Sequence, residues 1–406
     1  MAAYTPTPVM QDQYTSFLLG TIDETYMVQE VPRTFQSFFG PSTPSGRTVL
    51  NADDTFFQMD VMRAGPRSLA PMIPRNMISR SIGDIEKPIN GVRFTSVKMP
   101  FPLVHQEGVI GADLLNQRVF GEPTSMPYSK QERAQFYAGK ITNEIVARAG
   151  RLYEYLATQV VLLGTMPSII GNTDTETVYD FRKLATHVVD KTGTPWSTVG
   201  TSILTEIDTA CDLNEQDGHL DSDYLLCAYD VPATFLTNTQ LLAMGDIRRY
   251  YNFEFNGPMA IPDKFSFLVN GGAIPFAKLV TPKQREIFCF VTRKFYHNSS
   301  GTLTYYMPAG YAVIGSSMAS GHQLFGPGEA RFDVPSDAEI GRTLLGIDVE
   351  GTVATDVDTS RPFVPESIAM RVDRSPDRKS LLIQAESAPV FMPLNPNALT
   401  TYYNLV

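Results

Sequence analysis

The sequence predicts an α+β protein with an extended N-terminal segment, and three observations support this prediction. One long stretch has helical periodicity, several short stretches are β-like, and a long interval near the N-terminus is punctuated by Gly and Pro. The chain has 406 residues, of which 43% are hydrophobic and 19% are charged, which is typical of a globular protein with two or three hydrophobic cores. Disorder, collagen and coiled coil are therefore excluded for the chain as a whole.

Net charge, the length of apolar runs and the cysteine pattern exclude several classes of function. A net charge of −10 repels phosphate, which disfavours a general nucleic-acid binder. Apolar runs such as 160–163 are far shorter than the ~18 residues that a membrane-spanning helix needs, and the first residues lack a secretory signal pattern. We therefore expect a protein that is made and kept in the cytoplasm. The three widely spaced cysteines are expected to be buried apolar residues: Cys211, Cys227 and Cys289.

The N-terminal 50 residues predict an arm. They contain five prolines, together with an aromatic cluster formed by Phe35, Phe38 and Phe39. Prolines at this frequency prevent long helices. Such a segment buries its apolar clusters in pieces, which favours an extended arm that lies on something else, for example another subunit.

Residues 61–98 predict a long two-stranded excursion with turns, because Gly and Pro interrupt short β-like stretches such as 92–95. The segment has an unusual charge for an acidic chain, since its seven basic residues outnumber Asp84 and Glu86 and give a net charge of +5. The basic residues are Arg63, Arg67, Arg75, Arg80, Lys87, Arg93 and Lys98.

A single long helix is predicted over residues 129–164. Ser129 and Glu132 match a capping box at its start, and apolar residues then recur at spacings of three and four. Gly164, with Pro167 beyond it, is typical of a helix end. Roughly 35 residues at ~1.5 Å each give a helix of about 50 Å.

The remainder of the chain predicts mixed α and β structure. A hairpin with strands at 168–170 and 176–181 follows the helix, Pro195 and Trp196 suggest a domain hinge, and a second domain begins near Thr201. The predicted helices of this second domain lie at 202–213 and 232–242. The predicted strands lie at 224–229, 278–280, 287–292, 302–307, 311–315, 380–386 and 390–394.

Two acidic segments complement the basic excursion. Residues 205–230, interpreted as a helix followed by an acidic loop, contain no Lys or Arg, and residues 332–377 have a net charge of −6. Opposite charges on identical subunits favour head-to-tail contacts, which generate rings and shells. The candidate acidic partners in the first segment are Asp212, Glu215, Asp217, Asp221 and Asp223.

The sequence contains no recognisable catalytic or metal-binding constellation. Gly139 and Lys140 lack the earlier glycine of a phosphate-binding loop, residues 315–321 do not fit a serine nucleophile, and the acidic stretch from Asp212 places its glycine one position too late for a calcium loop. The histidines are isolated, so surface or hydrogen-bonded core roles are expected for His105, His187, His219, His297 and His322. We expect no cofactor and no metal.

The order of these parts resembles the major capsid proteins of tailed phages with the Hong Kong 97-type fold, and local residues resemble the lambda-like major head protein family. Residues 37–41 (SFFGP) are similar to the aromatic N-arm segment of that family. Residues 155–164 (YLATQVVLLG) are similar to the end of its spine helix, and residues 386–393 (ESAPVFMP) to its closing strand. The segment 332–377 is longer than the family minimum, which leaves the tip of the axial domain undefined.

The resemblance implies a division of the chain into five parts. These are an N-arm (1–60), an E-loop (61–105), a peripheral (P) domain (106–200) with the spine helix 129–164, an axial (A) domain (201–379), and a C-terminal return to the P domain (380–406). It also implies that the basic residues of the excursion and the acidic candidates are inter-subunit contacts, and that no residue is catalytic.

The function implied by the resemblance is a non-enzymatic capsid subunit of an icosahedral virion, assembled in the host cytoplasm. Its partners would be copies of itself in hexamers and pentamers, a separate scaffolding protein, a portal, a decoration protein, and packaged DNA without sequence-specific contacts. We expect no membrane partner and no covalent cross-linking. The alternatives are a bacterial nanocompartment shell of the same fold, another structural phage protein, and a soluble hydrolase with a His beside Asp or Ser in a deep pocket.

Overall fold

A computed structural model gives the structure of most of the chain. The described residues are 33–39, 49–51, 56–62, 94–119, 128–167, 178–198, 200–239, 241, 253–255, 261–298, 300–319, 321–326, 368–374 and 380–406. Both helices and strands are present, as the predicted α+β class requires.

The helices of the described residues are α1 (Ala112–Asn116), α2 (Lys130–Leu163), α3 (Ile203–Gly218), α4 (Val231–Thr237) and α5 (Ser266–Asn270). Short 3-10 turns occur at Gln36–Phe38, Ala185–His187, Asp263–Phe265 and Pro396–Ala398. The strands are β1 (Val49–Asn51), β2 (Phe56–Met62), β3 (Phe94–Pro100), β4 (Val104–Gly111), β5 (Thr165–Pro167), β6 (Val178–Asp180), β7 (Val188–Asp190), β8 (Tyr224–Cys227), β9 (Phe253–Phe255), β10 (Ile274–Val280), β11 (Glu286–Val291), β12 (Phe295–His297), β13 (Leu303–Tyr305), β14 (Ala312–Gly315), β15 (Gly321–Phe325), β16 (Ala369–Arg374), β17 (Ser380–Ser387), β18 (Pro389–Pro393) and β19 (Leu399–Tyr403).

The long helix α2 confirms the helix predicted from periodicity. It has 34 residues, and its first turn is closed by the Ser129 carbonyl, which accepts a hydrogen bond from the Arg133 amide at 3.0 Å. It ends where predicted, because Gly164 adopts the left-handed conformation with φ of 70°. Side chains from its C-terminal half, such as Leu156 and Val160, are buried in the main core.

The main sheet has seven strands in the order β7-β19-β14-β8-β11-β10-β9. Strands β8 and β14, which lie near its centre, are buried at every position because helices cover the sheet. The C-terminal strand β19 lies between β14 and β7, antiparallel to the former and parallel to the latter. The end of the chain is therefore part of the central sheet.

A second, smaller core lies between helix α2 and the antiparallel sheet β16-β17-β4. Helix α2 approaches strand β4 closely at Gly108, where a Cβ atom would collide with the Ile141 side chain. Strands β2 and β3 form a separate two-stranded antiparallel ribbon, which pairs Phe56 with Pro100 and Met62 with Phe94. Residues 63–93, which make up most of the predicted two-stranded excursion (61–98), lie outside the described residues, so the excursion stays a prediction.

Three element predictions need correction. Helix α3 continues to Gly218, so the acidic stretch that was expected to be a loop is largely helical. Helix α4 ends at Thr237 instead of residue 242, because Asn238 leaves the helical conformation with ψ of 117°. The hairpin after α2 pairs β5 with β6, so its first strand begins at Thr165, and the predicted strand 168–170 lies outside the described residues.

The aromatic cluster of the N-terminal segment also needs correction. We expected it to lie on something else, such as another subunit, yet Phe35, Phe38 and Phe39 are buried in the core of their own chain. The ring of Phe38 packs edge-on against Phe267, and that of Phe39 against Phe391. Residues 33–39 therefore pack on the core of their own chain.

The predicted domain boundaries at residues 200 and 380 both cut through the main sheet. Strand β7 comes from the predicted P domain, β19 comes from the predicted C-terminal return, and the other five strands of this sheet (β8, β9, β10, β11 and β14) come from the predicted A domain. The division into five parts stays a prediction.

No helix among the described residues is both long enough and apolar enough to cross a membrane.

Candidate functional site

The basic contact candidates lie almost wholly outside the described residues. Lys98 is on strand β3, opposite Gln58 of β2. The other six are in the part of the chain that the structure leaves undescribed: Arg63, Arg67, Arg75, Arg80, Lys87 and Arg93. Their contacts stay a prediction.

The acidic candidates on helix α3 have partners within the subunit. The guanidinium of Arg285 donates to Asp212 and to Glu215, both at 2.9 Å, and Lys283 contacts Asp212 as well. The hydrogen bond from Lys283, together with Arg285, holds the pKa of Asp212 below its usual value. These charges therefore join helix α3 to the turn between β10 and β11.

Asp217 and Asp223 are also engaged inside the chain, whereas Asp221 is exposed. The Asp223 carboxylate accepts hydrogen bonds from the Ser317 amide and from the Lys264 ammonium, each at 2.7 Å. Asp217 contacts the ring of His187. The structure therefore does not bring the acidic candidates together as one free surface.

His187 occupies a buried polar junction that joins helix α3 to the C-terminal strand. Its Nε2 lies 3.0 Å from Asp217 Oδ2 and its Nδ1 lies 2.9 Å from the Thr400 hydroxyl. Thr400 donates to Asn214 Oδ1 at 2.7 Å, and Asn214 donates in turn to the Ile314 carbonyl. Burial lowers the pKa of His187, although the hydrogen bond to Asp217 raises it.

Asp217, His187 and Thr400 contact one another in the order of the acid, histidine and hydroxyl of a hydrolase triad, but they cannot carry out its reaction. Thr400 is completely buried and its hydroxyl hydrogen is directed to Asn214, so it cannot meet a substrate as a nucleophile. The junction is a structural network, and it gives no support to the hydrolase alternative.

The other histidines that can be placed serve separate local roles. His105 contacts Glu386 across strands β4 and β17 at 3.3 Å, and His219 caps helix α3 in the left-handed conformation with φ of 55°. His297 is exposed on β12. Within the described ranges, no group of three or more His, Cys, Asp and Glu side chains could hold a metal ion.

The three cysteines are buried, as predicted, and each is a free thiol. Burial raises the pKa of Cys211 to about 11, and it raises the pKa values of Cys227 and Cys289 as well. Thiols held in the neutral form inside a core are poor nucleophiles.

Trp196, at the predicted hinge, packs between elements. Its ring is buried and meets Phe235 edge-on, and its Nε1 donates to Glu206 on helix α3 at 2.6 Å. Glu206 also pairs with Lys191, 2.9 Å away. The predicted hinge is therefore firmly attached to helix α3.

Lys183, which sequence reasoning did not single out, closes the C-terminal end of helix α2. Its ammonium group donates to the carbonyls of Val161 and Leu162 and to the Thr401 hydroxyl, each at 3.0 Å. The last carbonyls of a helix lack partners within the helix, so Lys183 satisfies them. Burial lowers its pKa from the ordinary value to about 7.

Glu154, in the middle of helix α2, is the second buried ionisable residue that the sequence did not reveal. It is fully inaccessible, and its carboxylate accepts hydrogen bonds from the amides of Phe35 at 2.8 Å and Gln36 at 3.0 Å. These amides favour the ionised form of the carboxyl group, but burial favours the neutral form more strongly and raises the pKa of Glu154. The partners of Glu154 are more than one hundred residues away in sequence, and no local pattern identifies them.

Comparison with known proteins adds evidence about the fold. No family model matches the sequence, and neither does any curated protein. A solved structure described as a prophage capsid protein from Escherichia coli CFT073 is similar over 97% of this chain and 98% of its own, with a TM-score of 0.59 and 13% identity.

Two further structures are similar at lower TM-scores. A structure from Gordonia phage Cozz is 11% identical over 99% of this chain and 96% of its own, with a TM-score of 0.40. The holo-encapsulin complex of Synechococcus elongatus PCC 7942 is 9% identical over 99% and 96%, also with a TM-score of 0.40. The prophage structure carries the conclusion that this chain has the fold of a phage capsid protein, which confirms the fold resemblance noted in the sequence.

Proposed function

We propose that this protein is a major capsid protein of the Hong Kong 97 type, the self-assembling subunit of the icosahedral head that encloses the double-stranded DNA of a tailed phage. The observation that carries the proposal is the fold shared with the prophage capsid protein over nearly the whole length of both chains. The order of parts in the sequence supports it independently.

The described elements fit the parts that the family resemblance implies. Helix α2 would be the spine helix, the β2–β3 ribbon with residues 63–93 would be the E-loop, and the main sheet would form most of the A domain. Residues 33–39 would be the point at which the N-arm joins the core.

The chemistry of the subunit supports a structural role. His187, Cys211 and Trp196 are each used in packing or in internal hydrogen bonds. A net charge of −10 suits a shell whose lumen must not hold DNA tightly. Copies of this chain in hexamers and pentamers, a scaffolding protein, a portal and a decoration protein are the proposed partners, within a virion assembled in the host cytoplasm.

The proposed contact between subunits pairs the basic excursion with carboxylates of a neighbouring copy. Because Asp212, Glu215 and Asp223 already bind cations in their own subunit, exposed Asp221 and the acidic segment 332–377 are the better complement. Each exposed ion pair contributes only ~0.2–1 kcal/mol, so the pairs would set register and orientation over many repeated interfaces.

Assembly of the purified protein tests the proposal. We expect the wild-type chain, alone or with its scaffolding protein, to sediment as large closed particles. A variant with Arg67, Arg75, Arg80 and Arg93 all changed to Glu should stay a folded monomer, while the matched change of all four to Lys keeps the charge and should still assemble.

Two results would contradict the proposal. A wild-type chain that remains monomeric at high concentration with scaffold present would contradict a shell function, and a normal particle yield from the Arg-to-Glu variant would contradict the proposed contact. Small closed particles that enclose a protein cargo and form without a portal would favour a nanocompartment shell instead.

A further inference from the structure

Residues 33–39 dock on helix α2 through aromatic side chains and through backbone. Phe35, Phe38 and Phe39 are at most 3% exposed. The Thr34 hydroxyl donates to the Gly271 carbonyl at 2.6 Å, and the Gln36 side chain donates to the Gly150 carbonyl of α2 at 2.9 Å. The docking site therefore combines an apolar pocket with polar contacts at its rim.

The centre of this docking site is the Glu154 carboxylate. One of its oxygens accepts the Phe35 amide and the other accepts the Gln36 amide. The segment itself supplies these hydrogen bonds and covers the carboxylate. If the segment leaves, Glu154 loses both amides and gains water.

We propose that Glu154 is a proton-linked latch, so that residues 33–39 dock with uptake of a proton and leave with its release. The latch would control how firmly the chain preceding Arg33 is attached to the subunit core. This inference does not depend on the proposed shell function.

The electrostatic environment of Glu154 gives the direction of the linkage. Burial raises its pKa from 4.5 to about 8, and the backbone amides and the Lys294 charge lower the pKa without cancelling that effect. Tyr306 also faces the carboxylate, and burial and then the charge of Glu154 raise its pKa, while Arg151 lowers it.

An undocked, hydrated Glu154 would return to its ordinary pKa near 4.5. Between that value and about 8 the docked form binds more protons than the undocked form. Docking is therefore strongest at the acidic end of this window and weakens as the pH rises through it. This pH dependence is opposite to that of a carboxylate in a surface ion pair, which stabilises more as the pH rises.

Cleavage by trypsin after Arg33 measures release of the segment. Arg33 is exposed, but the residues that follow it must leave the core before the bond fits a protease. We expect the rate at which the fragment beginning at Thr34 appears, normalised to an unstructured peptide substrate, to rise more than about tenfold from pH 6 to pH 9 in the wild-type chain.

Substitutions on helix α2 identify the responsible group. Glu154→Gln removes the titration and should make the normalised cleavage rate independent of pH, and Glu144→Gln, whose half-exposed side chain on the same helix pairs with Arg148 and Arg151, should keep the wild-type pH profile. A flat profile in the wild type, or an equal rise in Glu154→Gln, would overturn the latch.

Hydrogen exchange decides the question if Glu154→Gln fails to fold. In the wild-type chain, the protection factors of the Phe35 and Gln36 amides, corrected for intrinsic exchange, should fall by more than about tenfold over the same pH range. Protection factors that do not change with pH would overturn the proposal.

Discussion

Glu154 of helix α2 and Lys183, which contacts the C-terminal end of that helix, attach different parts of the chain in different ways. Glu154, in the middle of the helix, receives backbone amides from Phe35 and Gln36. At the C-terminal end the helix contributes backbone instead, since the carbonyls of Val161 and Leu162 accept hydrogen bonds from the Lys183 side chain, which also donates to Thr401 of the C-terminal strand. One site therefore holds the N-terminal segment by its backbone, and the other fixes an internal junction by a side chain.

This difference separates an attachment that can be released from one that is permanent. Docking at Glu154 involves a short segment held by aromatic side chains and hydrogen bonds, and its release would leave every strand of the main sheet paired. Removal of Lys183 would instead expose the helix end and the strand that passes it, because Thr401 lies within the main sheet. We therefore expect changes at the two sites to differ in kind.

The largest effect on stability is expected for Lys183→Met. Two buried carbonyls would lose their donor, so the free energy of unfolding should fall by about 3 kcal/mol. Urea denaturation measures this change, and Lys140→Met, on an exposed part of the same helix, is the control with an expected change near zero. Equal stabilities of the two variants would remove the distinction between the two sites.

A smaller, pH-dependent effect is expected at His187. Its folded pKa lies below the ordinary value of 6.5, so the unfolded chain binds the proton first on acidification. The contribution of His187 to stability is fully present above about pH 6.5 and is lost as the pH falls below that value. Thermal unfolding between pH 5 and pH 7.5 should show that His187→Gln lacks part of this loss.

The exposed His297 provides the control for that experiment, since His297→Gln should keep the wild-type pH profile. Identical profiles for His187→Gln and the wild type would mean that the junction does not respond to pH.

The smallest effect is expected at the surface network of helix α3. Arg285→Met removes hydrogen bonds to Asp212 and Glu215 and should lower the free energy of unfolding by about 1 kcal/mol, because the pairs are partly exposed. The difference from wild type should shrink in 0.5 M salt. Arg182→Met, which removes one exposed pair with Asp180, should have no measurable effect, and a larger loss there would contradict this ranking.

Local signals made the long helix predictable. The capping residues, the apolar spacing and Gly164 all lie within the helix or beside it, and they located its ends to within one residue. Four strands of the main sheet, β8, β10, β11 and β14, were predicted for the same reason, although their ends moved by a few residues, whereas β7, β9 and β19 were missed. Their pairing order depends on the whole fold and was not predictable.

The partners of charged and aromatic residues were not predictable, because they come from distant parts of the chain. Helix α3 seemed to need an external cation, since residues 205–230 contain no Lys or Arg, yet Lys283 and Arg285 reach it from the turn between β10 and β11. In the same way, the pattern around Phe35 revealed an apolar cluster without revealing which chain buries it.

The most direct test of this account is a cryo-electron microscopy reconstruction of the assembled material, detailed enough to trace the chain. The account predicts a closed icosahedral shell built from copies of this chain, each with residues 33–39 docked on its own Glu154. It would be contradicted by purified protein that forms no closed shell with its scaffolding protein present, or by a shell in which residues 33–39 of one copy dock on Glu154 of a neighbour.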